Sequence, residues 1–189
     1  MKISEMLEEG ARIKMELREQ SAEIEKICER IIKAYENGKK VVLFGNGGSA
    51  ADAQHIACEL VSKFMLERKG LPAIALTTNT SILTAIGNDY GYNNVFSRQV
   101  EALVERGDIV IGISTSGSSP NVIKGIRTAK EKGAITIGFI GRRGELAKVV
   151  DLCIKVPSSN TPRIQEAHIT IGHIICDIVE KELFGGDNE

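Results

Sequence analysis

The amino-acid sequence predicts an α/β fold, namely a three-layer α/β/α sandwich around a central five-stranded parallel sheet with an N-terminal helical extension. Five short apolar runs have the composition of buried strands, and they lie at residues 41–44, 73–76, 109–113, 135–139 and 152–156. Segments with helical spacing of apolar residues separate these runs. Short apolar strands that alternate with helices pair in parallel, with both faces of the sheet covered.

The helical extension occupies residues 3 to about 37, ahead of the first strand. Its apolar residues recur at three- and four-residue spacing, as in Ile13, Leu17, Ile24 and Ile27, with charged residues between them. Gly38 is a stop signal. We expect this extension to cover the sheet or to pack against another subunit, and its Glu/Lys-rich amphipathic character favours the second use in part.

The remaining helices are predicted at residues 50–66, 81–86, 95–104 and 122–132, with a short one at 145–149 and a long one at 162–184. Pro162 stands in the first turn of the long helix and two glycines follow its end, as is usual for helix boundaries. No linker or low-complexity segment interrupts the chain. We therefore expect one domain over residues 1–189, with a lead-in over 1–37, an α/β core over 38–184 and a frayed tail over 185–189.

Composition excludes several classes of function. The 189 residues include 24 Lys and Arg against 25 Asp and Glu, which gives no electrostatic basis for binding nucleic acid or an anionic membrane. No apolar run approaches the ~18 residues that a membrane span requires. The four cysteines are widely spaced within apolar segments, as expected for buried, reduced thiols. These features predict a soluble cytoplasmic protein with neither a nucleic-acid nor a membrane partner.

The glycine-rich turn at residues 45–49, between the first strand and the next helix, predicts an anion-binding site. Glycines let backbone N–H groups approach a ligand, and a helix N-terminus favours negative charge. Gly45, Gly47 and Ala50 also match a dinucleotide-binding fingerprint, but no acidic residue ends the second strand, where that fingerprint requires one. A Walker-type loop is excluded because no Lys-Ser/Thr pair follows the glycines.

A second strand–turn–helix unit repeats this plan with hydroxyls in place of most glycines. The strand at 109–113 leads into Ser114-Thr115-Ser116-Gly117-Ser118-Ser119, and Pro120 opens the next helix. The turn could be merely solvated, but five hydroxyls in six residues directly after a buried strand favour anion binding. Since ligands bind at the carboxyl ends of parallel strands, the two turns together suit a small phosphorylated, hydroxyl-rich molecule.

Two helices carry all three histidines of the chain. His55 and Glu59 are four residues apart and project from one helix face, which alone is typical of a surface pair. On the last helix, Gln165 and His173 can share a broad face at about 100° per residue, whereas His168 points elsewhere and is expected to pack or cap. If the helices meet, His55, Glu59, Gln165 and His173 form a nitrogen and oxygen ligand set compatible with zinc.

These motifs resemble the sugar isomerase (SIS) family, and within it the phosphoheptose isomerase branch. The motifs are GNGGSAADAQHIACEL at 45–60, LPAIALTT at 71–78, AIGNDYG at 85–91, GISTSGSSPNV at 112–122 and TPRIQEAHITIGHIICD at 161–177. The resemblance spans nearly the whole chain. It implies a flavodoxin-like SIS fold and a cytoplasmic homotetramer that converts sedoheptulose 7-phosphate to D-glycero-D-manno-heptose 7-phosphate, the first step towards nucleotide-activated heptose for surface glycans such as the lipopolysaccharide core.

The resemblance also implies roles for individual residues. His55, Glu59, Gln165 and His173 match zinc-binding positions, one ion per subunit, and Glu59 and His173 match the catalytic acid/base positions. Substrate contacts are implied for Glu59, Gln165 and the following residues: Asn46, Gly47, Gly48, Asn88, Asp89, Ser114, Thr115, Ser116 and Ser119. Lys63 and Asn79 depart from the family pattern, which favours an arginine and an aspartate there.

Ketose–aldose isomerisation needs a base at carbon and an acid at oxygen, and Glu59 and His173 are the candidates for these roles. Two alternatives remain open. One is a non-catalytic regulatory protein with the same fold, which could dispense with the acid/base pair. The other is an isomerase of a different sugar phosphate, because an anchoring loop for phosphate does not measure the length of the sugar.

Overall fold

The structure is a computed structural model that describes residues 2–187 of the chain. Its strands are β1 (Val41–Gly45), β2 (Ala73–Ala75), β3 (Ile109–Ser114), β4 (Ile135–Ile140) and β5 (Leu152–Lys155). Its α-helices are α1 (Ile3–Glu16), α2 (Ser21–Glu36), α3 (Gly48–Val61), α4 (Thr80–Tyr90), α5 (Ser97–Leu103), α6 (Pro120–Glu131) and α7 (Thr161–Phe184). Of the predicted frayed tail, Gly185–Asp187 forms a 3₁₀ turn and residues 188–189 lie outside the described part.

The five strands form one parallel sheet in the order β2-β1-β3-β4-β5. The predicted fold class is therefore confirmed, and no strand end differs from its predicted position by more than one residue. The strands are apolar because helices cover both faces of the sheet. Every residue of β1 and β3, for example, is buried.

Two apolar cores lie on the two faces of the sheet. One contains inward-facing residues of α1, α2, α3 and α7, and it is the larger. The other contains residues of α5 and α6, and in it the rings of Phe44 and Phe96 stack with centroids 4.8 Å apart. The predicted three layers are thus two helical layers and the sheet between them.

The helical extension covers the sheet, which was the first of its two predicted uses. A 3₁₀ turn at Leu17–Gln20 divides it into α1 and α2, and Ile13, Leu17 and Ile27 are buried in the larger core. The Gln20 side chain accepts a hydrogen bond from the backbone N–H of Lys155 at 2.9 Å and donates to the carbonyl oxygen of the same residue. This amide occupies the open edge of β5, where an unpaired strand would otherwise attract another chain.

Two predictions about α3 were wrong. The helix was predicted to run to residue 66 but ends at Val61, because the next residues turn back to meet a carboxylate on α7, described below. Cys58 was expected to be buried but is exposed, because it lies on the outer side of α3 while Ile56 and Leu60 face the core.

The strand order places the chemistry-bearing loops side by side. The connections after β1 and β3 leave these neighbouring strands towards opposite faces of the sheet, since α3 belongs to one core and α6 to the other. Open α/β sheets bind ligands in the crevice at this kind of switch point, outside the carboxyl ends of the strands. No helix between residues 2 and 187 is both long and apolar enough to cross a membrane.

Candidate active site

An amide pair joins the first loop to the start of α6 at the switch point. The Asn46 side chain donates to Oδ1 of Asn121 and accepts from its Nδ2, both at 2.9 Å. Asn121 is 2% exposed, and its Oδ1 also accepts from the N–H of Val122 at 3.0 Å. The hydroxyl of Tyr92 lies 3.3 Å from Oδ1 of Asn46. Asn46 is therefore held at the centre of the crevice by its neighbours.

The glycines after Asn46 leave the backbone N–H groups of the turn accessible. Gly47 has φ +55°, a conformation that favours glycine, and an added Cβ there would meet nothing within 4 Å. The N–H groups of Gly47 and Gly48 have no acceptor among the described residues, so both are free to bind a ligand. The N-terminus of α3 starts at Gly48 and adds its positive dipole end to this position.

The second loop is ordered by its own hydroxyls. Oγ of Ser114 lies 2.9 Å from Oγ of Ser119 and 3.4 Å from Oγ of Ser116, and Ser116 also accepts from the N–H of Ser118 at 3.2 Å. Gly117 turns the chain with φ +63°. The loop ends at the N-terminus of α6, where Pro120 occupies the first turn. Hydroxyls, backbone amides and a helix N-terminus thus meet at one place, as anion binding requires.

Two arginines that sequence reasoning missed lie beside this loop. A cleft of about 400 Å³ is lined by Thr115 and Ser116 from the loop and by Arg142 and Arg143 from the segment after β4. Gly117 and Gly144 make this approach possible, because an added Cβ on Gly144 would lie 2.3 Å from Cα of Gly117. The arginines add positive charge to the side of the loop.

Helices α3 and α7 cross closely beside the crevice. The crossing depends on Gly172, since an added Cβ there would lie 2.7 Å from Ile56 Cδ1. The neighbouring residues, His55 and His173, consequently face each other, with ring centroids 5.1 Å apart. The Phe64 ring, from the loop after α3, also lies near His173, at a centroid distance of 5.7 Å.

The crossing brings three of the four predicted ligands together. Nε2 of His55 lies 3.0 Å from Nε2 of His173 and 3.1 Å from Oε1 of Glu59. One donor atom from each of the three residues lies within 4.8 Å of the others. The side chains of His55 and Glu59 are 47% and 24% exposed, so the group opens to solvent.

The donor set fits a zinc ion. Zinc ligands in a tetrahedral site lie about 2.0–2.1 Å from the metal and hence roughly 3.3 Å from one another. The two separations that involve His55, 3.0 Å to His173 and 3.1 Å to Glu59, are close to that value. Two imidazole nitrogens and a carboxylate oxygen are also the ligand types of open catalytic sites. His55 and His173 present nitrogen to nitrogen, an arrangement that a shared cation or a single shared proton can satisfy.

Gln165, the fourth predicted ligand, lies against the start of α3. An added Cβ on Gly48 would lie 2.2 Å from Nε2 of Gln165, so only glycine leaves room for this amide. Gln165 thereby connects α7 to the glycine-rich loop. Its roles as a ligand and as a substrate contact stay predictions.

The structure does not bring Asn88 and Asp89 to the other predicted site residues. Both are exposed at the end of α4, and Nδ2 of Asn88 donates to Oδ1 of Asp89 at 2.8 Å. No hydrogen bond or ion pair joins them to the glycine-rich or hydroxyl loops within residues 2–187, and their binding role stays a prediction.

The two departures from the family pattern have local roles. Oδ1 of Asn79 accepts from the N–H of Ile82 at 3.0 Å and so caps α4, as an aspartate would. Lys63 pairs with Glu67 and is half exposed. Among the described residues, neither side chain forms a hydrogen bond or ion pair with His55, Glu59 or His173.

Asp52 is a further carboxylate that sequence reasoning missed. It lies on α3 three residues before His55, and its Oδ2 is buried without a partner among the described residues. Burial raises the pKa of Asp52 to about 6, although His55 opposes this shift. Its spacing of three and seven residues from His55 and Glu59 places all three on one face of α3, a signal that could have identified it.

Comparison with known proteins identifies the family. A family model described as SIS domain matches residues 6–141, which is more than half of the chain. The chain belongs to the SIS domain family.

Individual relatives within the SIS family extend the match. The phosphoheptose isomerase of Clostridium acetobutylicum is 63% identical over 164 residues, covering 86% of this chain and 84% of the relative. The structure is similar to phosphoheptose isomerase GmhA from Neisseria gonorrhoeae, with a TM-score of 0.89, 42% identity, and coverage of 95% and 97% of the two chains. A phosphoheptose isomerase from Francisella tularensis gives a TM-score of 0.91 at 36% identity, with coverage of 95% and 96%.

The SIS domain match has a further consequence for the site. It includes β1 to β4 with both crevice loops and all of α3, but it ends before α7. The shared SIS part therefore contains both crevice loops and Glu59, whereas His173 and Gln165 come from the helix beyond it. The similarity to whole phosphoheptose isomerases includes that helix.

Proposed function

We propose that this chain is a phosphoheptose isomerase that converts sedoheptulose 7-phosphate to D-glycero-D-manno-heptose 7-phosphate. The observation that carries the proposal is the His55–Glu59–His173 cluster at the helix crossing beside two anion-binding loops. A phosphate-anchoring device next to a carboxylate and two imidazoles suits proton transfer on a sugar phosphate. The high identity to named phosphoheptose isomerases supports the same activity.

The reaction moves hydrogen between the first two carbons of the sugar. In the proposed sequence the Glu59 carboxylate removes a proton from C1 while His173 gives a proton to the carbonyl oxygen on C2, which yields an enediol. Glu59 then returns its proton to C2, and His173 takes the proton from the C1 hydroxyl as the aldehyde forms. Each residue ends in its starting protonation state, so no net proton or electron is exchanged.

The loops anchor and orient the substrate. The hydroxyls of Ser114, Thr115, Ser116 and Ser119 and the N-terminus of α6 are proposed to hold the 7-phosphate. Asn46, with the N–H groups of Gly47 and Gly48, is proposed to bind sugar hydroxyls, together with Gln165, Asn88 and Asp89. Anchoring the end of the sugar far from the reacting carbons lets binding energy fix their orientation.

The metal proposed for this site is zinc, one ion per subunit, held by His55, Glu59 and His173 with Gln165 as a fourth ligand. Bound there, zinc would supply a Lewis acid for the substrate oxygens. A carboxylate that binds zinc tightly is a weaker base, so the roles of Glu59 as base and as ligand oppose each other. Turnover and metal content must therefore be measured on the same sample.

The experiment is isomerisation of sedoheptulose 7-phosphate by the purified protein, before and after chelation and after zinc is added back. Turnover that falls on chelation and returns with zinc would support both the reaction and the metal site. Turnover that is indifferent to chelation would leave the isomerase and remove the metal from the mechanism. Binding of sugar phosphates without turnover would favour a regulatory protein, and turnover of a different sugar phosphate alone would reassign the substrate.

We also propose that the chain assembles as a homotetramer and acts in the cytoplasm. Apolar side chains on α1 and around α4 support the assembly, since Ile3 and Leu7 are 79% and 67% exposed and α4 has no buried residue. Exposed apolar stretches of this kind mark contact surfaces between protein chains.

A further inference from the structure

An ion pair between Arg68 and Glu180 lies in the interior beside the site. Nε of Arg68 is 2.8 Å from Oε1 of Glu180, and the two side chains are 2% and 1% exposed. Among the ion pairs of the described residues, no other has both partners buried. A buried ion pair adds little net stability over hydrophobic residues of the same volume. We therefore ask which neighbouring groups this pair holds in place.

The carboxylate of Glu180 binds the loop that follows α3. Its Oε1 accepts from the N–H of Phe64 at 2.9 Å, and its Oε2 accepts from the N–H groups of Met65 at 2.6 Å and Leu66 at 2.8 Å. Burial acts to raise the pKa of Glu180, but these N–H donors and Arg68 outweigh burial, so its pKa lies below the ordinary value. The ionised carboxylate therefore fixes three consecutive residues of the loop.

The guanidinium of Arg68 binds the end of α3. Its Nη2 donates to the carbonyl oxygen of Glu59 at 2.9 Å, and its Nη1 donates to those of Leu60 at 2.8 Å and Ser62 at 3.2 Å. The last carbonyls of a helix lack partners within the helix, and a cation there also complements the helix dipole. Arg68 thus caps α3 at the residue from which the proposed catalytic base projects.

The Arg68–Glu180 pair is linked through hydrogen bonds and packing to both proposed catalytic residues, Glu59 and His173. Glu180 lies seven residues after His173 on α7, which is two helical turns and therefore the same side. The loop that Glu180 holds also carries Phe64, whose ring contacts His173. Arg68 fixes the backbone of Glu59 from the other end.

We propose that Arg68 and Glu180 are positioning residues that set α3 against α7 and so fix the separation of Glu59 from His173. This inference rests on the proposed roles of those two residues. Arg68 acts through the carbonyl oxygen of Glu59, and Glu180 acts through the loop and through its place on α7. Neither touches the substrate.

The test compares Glu180→Gln with a matched variant, Asp108→Asn. The carboxylate of Asp108 is likewise 1% exposed, pairs with Nζ of Lys40 at 2.7 Å and accepts from backbone N–H groups. It directly precedes β3, however, and so lies at the amino ends of the strands, away from the crevice at their carboxyl ends. In Glu180→Gln an amide nitrogen replaces one of the two accepting oxygens, so part of the loop is released. We expect kcat for sedoheptulose 7-phosphate to fall about 10- to 100-fold, as a small misplacement of catalytic groups produces, with KM within about threefold.

Asp108→Asn is expected to lower the melting temperature but to leave kcat within about twofold, because only folding depends on that pair. A kcat for Glu180→Gln equal to that of Asp108→Asn, both measured well below the melting temperatures, would overturn the inference.

If Glu180→Gln does not fold, the variant Arg68→Lys tests the positioning role instead. Lysine keeps the charge opposite Glu180 but lacks the planar fork that reaches several carbonyl oxygens at once. We expect a folded protein with kcat lowered about tenfold; an unchanged kcat would contradict the proposal.

Glu59→Gln, measured alongside, distinguishes a failure of the proposed role of Glu59 from a failure of the positioning role of Arg68 and Glu180. If that variant keeps its turnover, the role of Glu59 fails and this inference fails with it. If it is inactive while Arg68→Lys and Glu180→Gln turn over normally, only the positioning role fails.

Discussion

Glu59 and His173 are the side chains on which the proposed proton transfers depend. Both lie at the helix crossing, and His55 stands between them with Nε2 within 3.1 Å of Glu59 and 3.0 Å of His173. The partial exposure of Glu59 leaves it accessible to a substrate carbon while its backbone is held by Arg68.

Loss of either group should therefore affect turnover more than folding. We expect Glu59→Gln and His173→Ala each to lower kcat by at least ~10²-fold, the low end for removal of a general acid or base. Steady-state kinetics with sedoheptulose 7-phosphate checks this. A matched control is Glu67→Gln, an exposed carboxylate in the neighbouring loop, which should turn over normally. Near-wild-type kcat in both site variants would remove the assignments.

His168 differs from the other two histidines. It is fully buried, its Nε2 lies 3.2 Å from the carbonyl oxygen of Ile140, and its Nδ1 has no partner among the described residues. Burial lowers its pKa to about 4 because the charged form would lose its water, and the hydrogen bond to Ile140 only partly opposes this. The prediction that His168 packs rather than binds metal agrees with this position, which joins α7 to the end of β4.

The depressed pKa makes His168 a source of acid sensitivity. Between about pH 6.5 and 4 the unfolded chain binds a proton that the folded chain does not, so stability is intact above pH 6.5 and is lost as pH falls. The loss amounts to about 3 kcal/mol by pH 4. His168→Gln keeps a donor for Ile140 but does not titrate, so its unfolding free energy should fall less steeply over this range. Equal slopes in denaturant unfolding at fixed protein concentration would contradict this account.

At the scale of elements, α3 and α7 meet near their first turns, where Gly48 lies against the side chain of Gln165. Gly48 has an ordinary helical backbone, so alanine is permitted there except for the contact with Gln165. The obstacle is the mobile end of a side chain rather than backbone, so it can be displaced without unfolding the protein.

Gly48→Ala should accordingly separate site geometry from folding. We expect the melting temperature to change by only a few degrees, since alanine is the better helix former. The displaced Gln165 should lower kcat/KM about tenfold or more. Gly185→Ala is the matched control, because its added Cβ would lie 3.8 Å from Lys181 in ordinary contact and far from the crevice. Unchanged kcat/KM in Gly48→Ala would mean that Gln165 has no role in the reaction.

At the scale of the whole molecule, apolar residues remain on the outside. The larger core uses one side of α1, through Ile13, while Ile3 and Leu7 point away from it. One face of the helical extension thus covers the sheet, and its other, exposed face supports the proposed tetramer.

We expect light scattering to give a mass of four chains of 20.5 kDa each. Leu7→Lys should reduce that mass at low concentration, because a buried charge disfavours an apolar contact. Glu8→Lys, on the same helix at an exposed charged position, serves as the control for added positive charge and should leave the mass unchanged. A single-chain mass for the unaltered protein would exclude the tetramer.

The sequence by itself determined the parallel sheet, the order of strands and helices along the chain, and the two loops at the carboxyl ends of strands. These features depend on local patterns, such as apolar runs of four to six residues or glycines between a strand and a helix, which neighbouring residues reveal. The spacing of His55 with Glu59 and of Gln165 with His173 likewise indicated which faces would meet if α3 and α7 approached.

Only the tertiary structure decided where α3 ends, which residues join the loops and how close the helices come. Glu180, more than a hundred residues along the chain, binds the loop that ends α3. Asn46 after β1 pairs with Asn121 after β3. Gly172 allows α7 to cross α3 at Ile56. Helix propensity favoured a longer α3, but hydrogen bonds from the loop to a buried carboxylate outweighed it. Contacts between distant residues depend on the fold, and no local pattern in the chain encodes them.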